Sequence, residues 1–274
     1  MSKATHIIYE QEVAAAFNTQ SIRFDEIYSD NAIIRYKRKR VRDHVQKYIQ
    51  PGCRILELNA GTGEDAVYFA QQGYTVHGTD LSAGMQQIFS QKIKAQGLED
   101  RVSYELCSFT SLENLQCRES FDLIFSNFAG LNCTKELDKV LRSFSPLLKP
   151  GAVVTLVVLP RFCLWETMLI LKGKFKPAFR RFFSKNGRIA HLEGKFFRCW
   201  YYNPSFIKKI LEPGFEVLSI EGLCTLVPPS YIENFAGKYP KAFQFLKKKE
   251  EQWKTSWPWR SIGDYYIISL KKKN

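Results

Sequence analysis

At 274 residues, 45% of them hydrophobic, the chain suits one large domain, or one domain with a substantial insertion. No apolar run reaches the roughly 18 residues of a membrane span, and Met1-Ser2-Lys3-Ala4 opens into polar sequence, so neither a spanning segment nor a secretory signal is expected. The net charge of +13 belongs entirely to the second part: residues 1–150 hold 18 basic and 18 acidic side chains, residues 151–274 hold 22 and 9. Seven scattered cysteines with no C-x-x-C pair argue against a zinc site or redox motif, so no metal is expected, and reduced thiols suit a cytoplasmic protein.

Residues 1–50 read as an N-terminal helical cap. Residues 14–17 and 22–28 suggest two short helices, and Asn31 is placed to cap a longer one. Ile33, Ile34, Val41, Val45, Tyr48 and Ile49 form an apolar stripe on it. Lys37, Arg38, Lys39, Arg40 and Arg42 are then expected on its wet face, with His44 at the surface.

Residues 51–160 read as the core. Ile55, Leu56 and Leu58 make a short buried strand that carries Glu57. A small glycine-rich turn, Asn59-Ala60-Gly61-Thr62-Gly63, leads into a helix over residues 64–72. Strand, turn and helix together bring a ligand against bare backbone, because glycine allows close approach and a helix start offers unpaired N–H groups. A second strand ends in Asp80, and an acid there suits a ribose diol. Ser82 is placed to cap a helix over residues 83–96. Residues 102–106 and 121–125 give two more strands, with His77 structural on the second strand. A helix over residues 135–148 and the β-branched run 152–159 complete five β-α repeats. Residues 215–220 and 265–270 add two strands. The fold class expected is α/β, a doubly wound, mostly parallel seven-stranded sheet with a helical lid insertion.

Two families share this layout. Gly61-x-Gly63-x-x-Ala66 with Asp80 fits a nicotinamide fingerprint, so an NAD(P)-dependent oxidoreductase is one reading. Glu57-x-Asn59-x-Gly61-x-Gly63 resembles the first motif of class I S-adenosylmethionine-dependent methyltransferases, with Asn59 in place of the first glycine. Asparagine tolerates left-handed geometry, so the turn survives. The seven-strand plan resembles that family over nearly the whole chain, and the methyltransferase reading is preferred. A cofactor-free binding protein with a decayed site is a third reading.

The resemblance implies S-adenosylmethionine as cofactor and S-adenosylhomocysteine as product. It implies that Glu57, Asn59, Ala60, Gly61 and Gly63 serve the methionine end, and that Asp80 and Leu81 follow along the ribose. Tyr28 and Arg38 are candidates for the methionine carboxylate. An Asp that commonly follows the third strand is replaced by Ser108, with Phe109 beside it. Asn127 and Phe128 follow the fourth strand, in the loop the family places beside the reactive methyl.

Residues 161–203 occupy the place of a substrate lid. Between Arg161 and Lys209, 12 basic residues accompany two acids, Glu166 and Glu193, and many aromatics. The lid implies a small-molecule acceptor, anionic or aromatic, bound in an apolar pocket and methylated at oxygen, with nitrogen or carbon open. A lipid acceptor at a membrane surface and RNA are alternatives. Trp165, Glu166, Trp200 and Phe128 are candidate acceptor contacts; His191, Tyr201 and Tyr202 are candidate bases. Residues 204–274 complete the sheet, with Asn203 and Pro204 starting a helix. A second cap segment covers residues 223–263, in which Lys247-Lys248-Lys249-Glu250-Glu251 reads as a solvated helix face.

Overall fold

The computed structural model describes residues 3–182, 184, 186–192, 194–232 and 234–274; Glu193 of the lid therefore lies outside the described residues. The core strands are β1 (Arg54–Leu58), β2 (Thr75–Asp80), β3 (Val102–Leu106), β4 (Phe121–Ser126) and β5 (Leu148–Val158). A hairpin, β6 (Arg188–Leu192) and β7 (Lys195–Cys199), follows, and then β8 (Phe215–Leu223) and β9 (Tyr265–Lys272). Seven of them form one sheet in the order β3-β2-β1-β4-β5-β9-β8. The first five strands are parallel, and β9 runs antiparallel between β5 and β8. Strand order reverses between β1 and β4, and in such sheets ligands bind in the crevice at that point.

The N-terminal helices differ from expectation. One helix, α1 (Lys3–Ser29), replaces the two short ones. The polar stretch Asn18-Thr19-Gln20-Ser21 stays helical: Thr19 and Ser21 donate within the helix, to Ala15 and Asn18 carbonyls, while Asn18 reaches out to the core. In α2 (Ala32–Val45) the Asn31 carboxamide caps Ile33 and Ile34, as read from sequence. Its supposed wet face is largely inside: Lys37, Arg40 and His44 are buried beside Ile33, Val41 and Val45. The spacing 33-37-40/41-44 is one helical stripe, and charge on four of its neighbours concealed it.

Helices α3 (Glu64–Gln71) and α4 (Ala83–Ala95) match their expected places, and the Ser82 hydroxyl caps Met85. The helix expected over 135–148 is shorter, α5 (Leu137–Arg142), followed by a 3-10 turn at Ser145–Leu147. Pro146 explains this, having no N–H for the next helical bond. Its inward set, Leu137, Val140, Leu141, Phe144 and Leu148, is buried as expected. The lid is helical only at first, in α6 (Leu164–Thr167) and α7 (Phe175–Ala178). Its second half is the β6-β7 hairpin, stacked on α1 through the Phe17 and Phe197 rings, 5.9 Å apart. Asn203 holds the N-cap position of α8 (Pro204–Leu211), but its side chain makes no cap bond and accepts from the Arg161 N–H instead. After α9 (Phe235–Lys238), helix α10 (Pro240–Trp253) buries Phe243 and, seven residues on, Glu250. Glu250 is therefore no part of a solvated face. Among the described residues, no helix is long and apolar enough to cross a membrane.

His44 sits between β9 and β8, its Nε2 2.8 Å from Ser269 Oγ and its Nδ1 3.0 Å from Glu221. Burial depresses its pKa; the Glu221 carboxylate opposes this, and Lys47 and Lys254 reinforce it. A folded histidine with a lowered pKa stabilises above the unfolded value near 6.5, and that stability is lost as pH falls through it. His77, also depressed by burial, acts with the same sign. Glu221 is held below the carboxylate range: burial opposes this, while His44, Lys254 and Arg40 overcome it, so its stability loss lies at still lower pH. Lowering pH from 7.5 to 5.5 is thus expected to destabilise the fold through both histidines. In thermal melts, His44→Gln should reduce the slope of Tm against pH, and an unchanged slope would rule out His44 as a source of it.

Candidate active site

Outside the carboxyl ends of β1, β2 and β4 lies a cavity of about 350 Å³. Its floor is the loop after β1. Glu57 ends the strand, and Asn59, Gly61 and Gly63 all take left-handed backbone, at φ 48°, 57° and 75°. Asn59 fills the missing glycine's place with more than tolerance of φ. Its amide donates to the Asn127 carbonyl at 2.9 Å, and its Oδ1 accepts from Ser126 at 2.5 Å, tying the β1 and β4 loops together. A Cβ at Gly130 would lie 2.3 Å from the Asn59 side chain, so the bare residue there makes room for the substituted one. Gly63 is held bare by Phe89, whose ring would lie 1.9 Å from a Cβ.

The charges around this loop are arranged in pairs. Asp65 accepts from Arg38 at 2.8 Å, Arg42 at 2.7 Å and Asn127 at 2.8 Å. Burial would raise the Asp65 carboxyl, but the two guanidiniums and the amide hold it below the usual range. Glu57, only 3% exposed, has no such cluster. Burial and the Asp65 charge push its pKa well up, and its Oε2 is buried with no hydrogen-bond partner. A buried acceptor without a donor costs free energy, and the residue that carries it lines the cavity. Asp80, at the tip of β2, accepts from Gly61 N at 2.9 Å and Ser82 N at 2.8 Å. Burial raises its pKa against these bonds.

Helix α1 lies across the cavity mouth. Asn18 accepts from Ser82 Oγ and Gly84 N at 2.6 and 2.8 Å, and Asp25 accepts from Thr62 at 2.7 Å. Glu10 accepts from Ser108 at 2.5 Å and from Thr110, and lines the cavity there. An acid thus stands near Ser108 after all, supplied from 98 residues away.

The comparisons agree with this geometry. A methyltransferase-domain family model matches residues 55–151, from β1 into β5. A methyltransferase of Streptomyces halstedii, GfsG, is 29% identical over 40% of this chain and 40% of its own length. A demethylmenaquinone methyltransferase of Bacteroides fragilis is 26% identical over 63% of this chain and 73% of its own. The chain thus spans less than half of the first relative's length. In structure, a Burkholderia thailandensis 1,6-didemethyltoxoflavin-N1-methyltransferase with bound S-adenosylhomocysteine superposes at TM-score 0.56, with 17% identity, over 97% of this chain and 89% of that one. Residues 55–151 thus carry a methyltransferase domain, on a sheet that shares the fold of S-adenosylmethionine-dependent methyltransferases.

In this chain, Glu57, Asn59, Ala60, Gly61, Asp80, Leu81, Ser108, Phe109 and Asn127 all line one cavity, together with Tyr28, Arg38, Phe128 and Trp200. Gly63 shapes its floor from beneath. The other expected acceptor and base residues lie elsewhere. His191 is exposed on the hairpin with its ring 4.9 Å from that of Phe196, outside the cavity. Tyr202 donates to the Thr134 carbonyl at 2.6 Å, and the Tyr201 ring packs under Arg181. Both tyrosines face a second, basic cleft with Arg142, Arg161, Arg198 and Lys209. Trp165 does not line the cavity, and Glu166 is buried against Arg180 and Arg181, both at 2.6 Å. Burial would raise the Glu166 carboxyl, but those arginines hold it low. Part of the lid's positive charge is thus spent inside. Glu166 and Asp264, which lie near Cys163 at metal-ligand separation, both pair with Arg181.

Sequence reasoning missed Glu10, Lys37, Asp65, Phe197 and Tyr265 on the cavity wall. Lys37 and Asp65 had a signal: one lies on the inward stripe of α2, the other in the first turn after the glycine loop. Glu10 and Tyr265 had none, since only the fold brings them near.

Proposed function

We propose that the protein transfers the methyl group of S-adenosylmethionine to a small-molecule acceptor, with oxygen as the receiving atom. The orphaned Glu57 oxygen carries this reading, because it needs a donor and the methionine ammonium supplies one. Arg38 and Tyr28 then serve the carboxylate of the same moiety, Asp80 and Leu81 the ribose, and Ser108 with Glu10 the adenine amine. The sulfonium supplies an activated methyl for in-line displacement. What this chain contributes is position: orienting both partners accounts for much of such catalysis. Phe128, Trp200 and Tyr265 form an apolar end that holds the acceptor and excludes water, and α1 closes the other side. Relatives named for demethylmenaquinone and for 1,6-didemethyltoxoflavin support a small-molecule acceptor. Calorimetric titration with S-adenosylmethionine, S-adenosylhomocysteine and NADH tests the cofactor site. Micromolar binding of the two sulfur ligands is expected, weakened at least tenfold by Asp80→Ala. Binding of NADH alone would overturn it.

A further inference from the structure

Lys37 is 2% exposed, yet it lines the cavity. Its ammonium donates to Ser230 Oγ at 3.1 Å. It lies 4.6 Å from the Tyr265 ring centre and 5.7 Å from that of Phe128. Asp264 is 3.8 Å away, but its other oxygen is bonded to Arg181 at 2.9 Å. Among the described residues no carboxylate stands within hydrogen-bond distance of this nitrogen. Burying an ammonium is costly unless it is paired, and two aromatic faces with one hydroxyl offset that cost only in part. Among the described residues the ammonium has one hydrogen-bond acceptor, Ser230, and one ion-pair partner, Asp264, at 3.8 Å, and it borders the cavity. The same wall, Phe128, Tyr265 and Tyr28, is aromatic. Among the described residues, no histidine lines the cavity to act as a base.

We infer that Lys37 anchors the acceptor by an anionic oxygen, so that the acceptor is an aromatic or enolic molecule bound as its phenolate, enolate or carboxylate against Phe128 and Tyr265. Its proton passes to solvent on binding, and the ammonium takes over the charge. This rests on the methyltransferase reading only for the acceptor's fate; the anchor is a binding site in its own right. It also fixes which end of the acceptor lies at α2.

The test uses full-length protein, with and without S-adenosylhomocysteine, and three probes: 4-nitrophenol, 4-nitrobenzoate and the neutral ether 4-nitroanisole. Bound nitrophenol should show the phenolate absorption band at a lower pH than free nitrophenol. Lys37→Met should abolish that shift and weaken nitrophenolate binding at least tenfold, while leaving nitroanisole unchanged. Lys37→Arg, which keeps the charge, should retain the shift, so a poorly folded methionine variant does not decide the matter. Nitrobenzoate bound as tightly as nitrophenolate would support carboxylates within the acceptor class; weaker binding would overturn that part and leave phenolate and enolate. Equal affinity of the wild-type protein for nitrophenol and nitroanisole, or no spectral shift in either wild-type or arginine protein, overturns the anchor. Protein that shifts nitrophenol but binds no S-adenosylhomocysteine keeps the anchor and sinks the cofactor site.

Discussion

Glu57→Gln should weaken S-adenosylhomocysteine binding about 100-fold while leaving the free protein as stable as before, or more so. The two effects have one cause. A buried carboxyl with a raised pKa loses stability as pH rises from the unfolded value toward the folded one, because only the unfolded chain ionises freely in that window. At neutral pH the ionised form is therefore a burden on the empty fold, and glutamine relieves it. With an ammonium in place the same charge is matched, and a hydrogen bond between charged groups is worth about 1.5–3 kcal/mol. Affinity in the wild-type protein should accordingly rise with pH, as Glu57 gives up its proton, and this dependence should flatten in the variant. Calorimetry between pH 5.5 and 8 with melts of the free proteins reads both. A Tm that falls along with affinity would mark Glu57 as a structural residue instead.

Glu250→Ala should cost about 3–5 kcal/mol of stability, the range for leaving buried charge and donors without their partner. The carboxylate accepts from the backbone N–H groups of Cys224, Leu226 and Val227, each at 2.9 Å. It also accepts from Tyr36 at 3.0 Å and Arg40 at 3.3 Å. One side chain thus joins α10, the loop after β8 and α2, and that loop leads to Ser230, the hydroxyl on Lys37. Urea denaturation measures the loss. Glu250→Gln should fall between, since its amide places a donor against one of these N–H groups. A change below 1 kcal/mol in the alanine variant would show that the network contributes little.

Much of this was legible beforehand for a simple reason. The inner strands β1, β4 and β5 are buried on both faces over most of their length, so their apolar runs stand out against the turns that separate them. The Asn59-to-Gly63 loop and Asp80 follow from local chemistry: left-handed backbone, a helix start and an acid at a strand tip are properties of adjacent residues. What escaped is charge on the inward face of a helix. Lys37, Arg40, His44 and Glu250 lie at core spacing, but a charged side chain is normally taken as solvated, and only partners from distant segments make its burial tolerable. For Glu250 those partners are Cys224, Leu226, Val227, Tyr36 and Arg40. For Lys37 they are Ser230, Tyr265 and the cavity.

The sequence by itself determined the sheet, the order of its elements and the glycine loop after β1, because each depends on patterns within about ten residues. The tertiary structure alone decided the rest of the cavity wall. Helix α1, the hairpin, Tyr265 and Lys37 come from four separate stretches of the chain, and only their packing makes one wall.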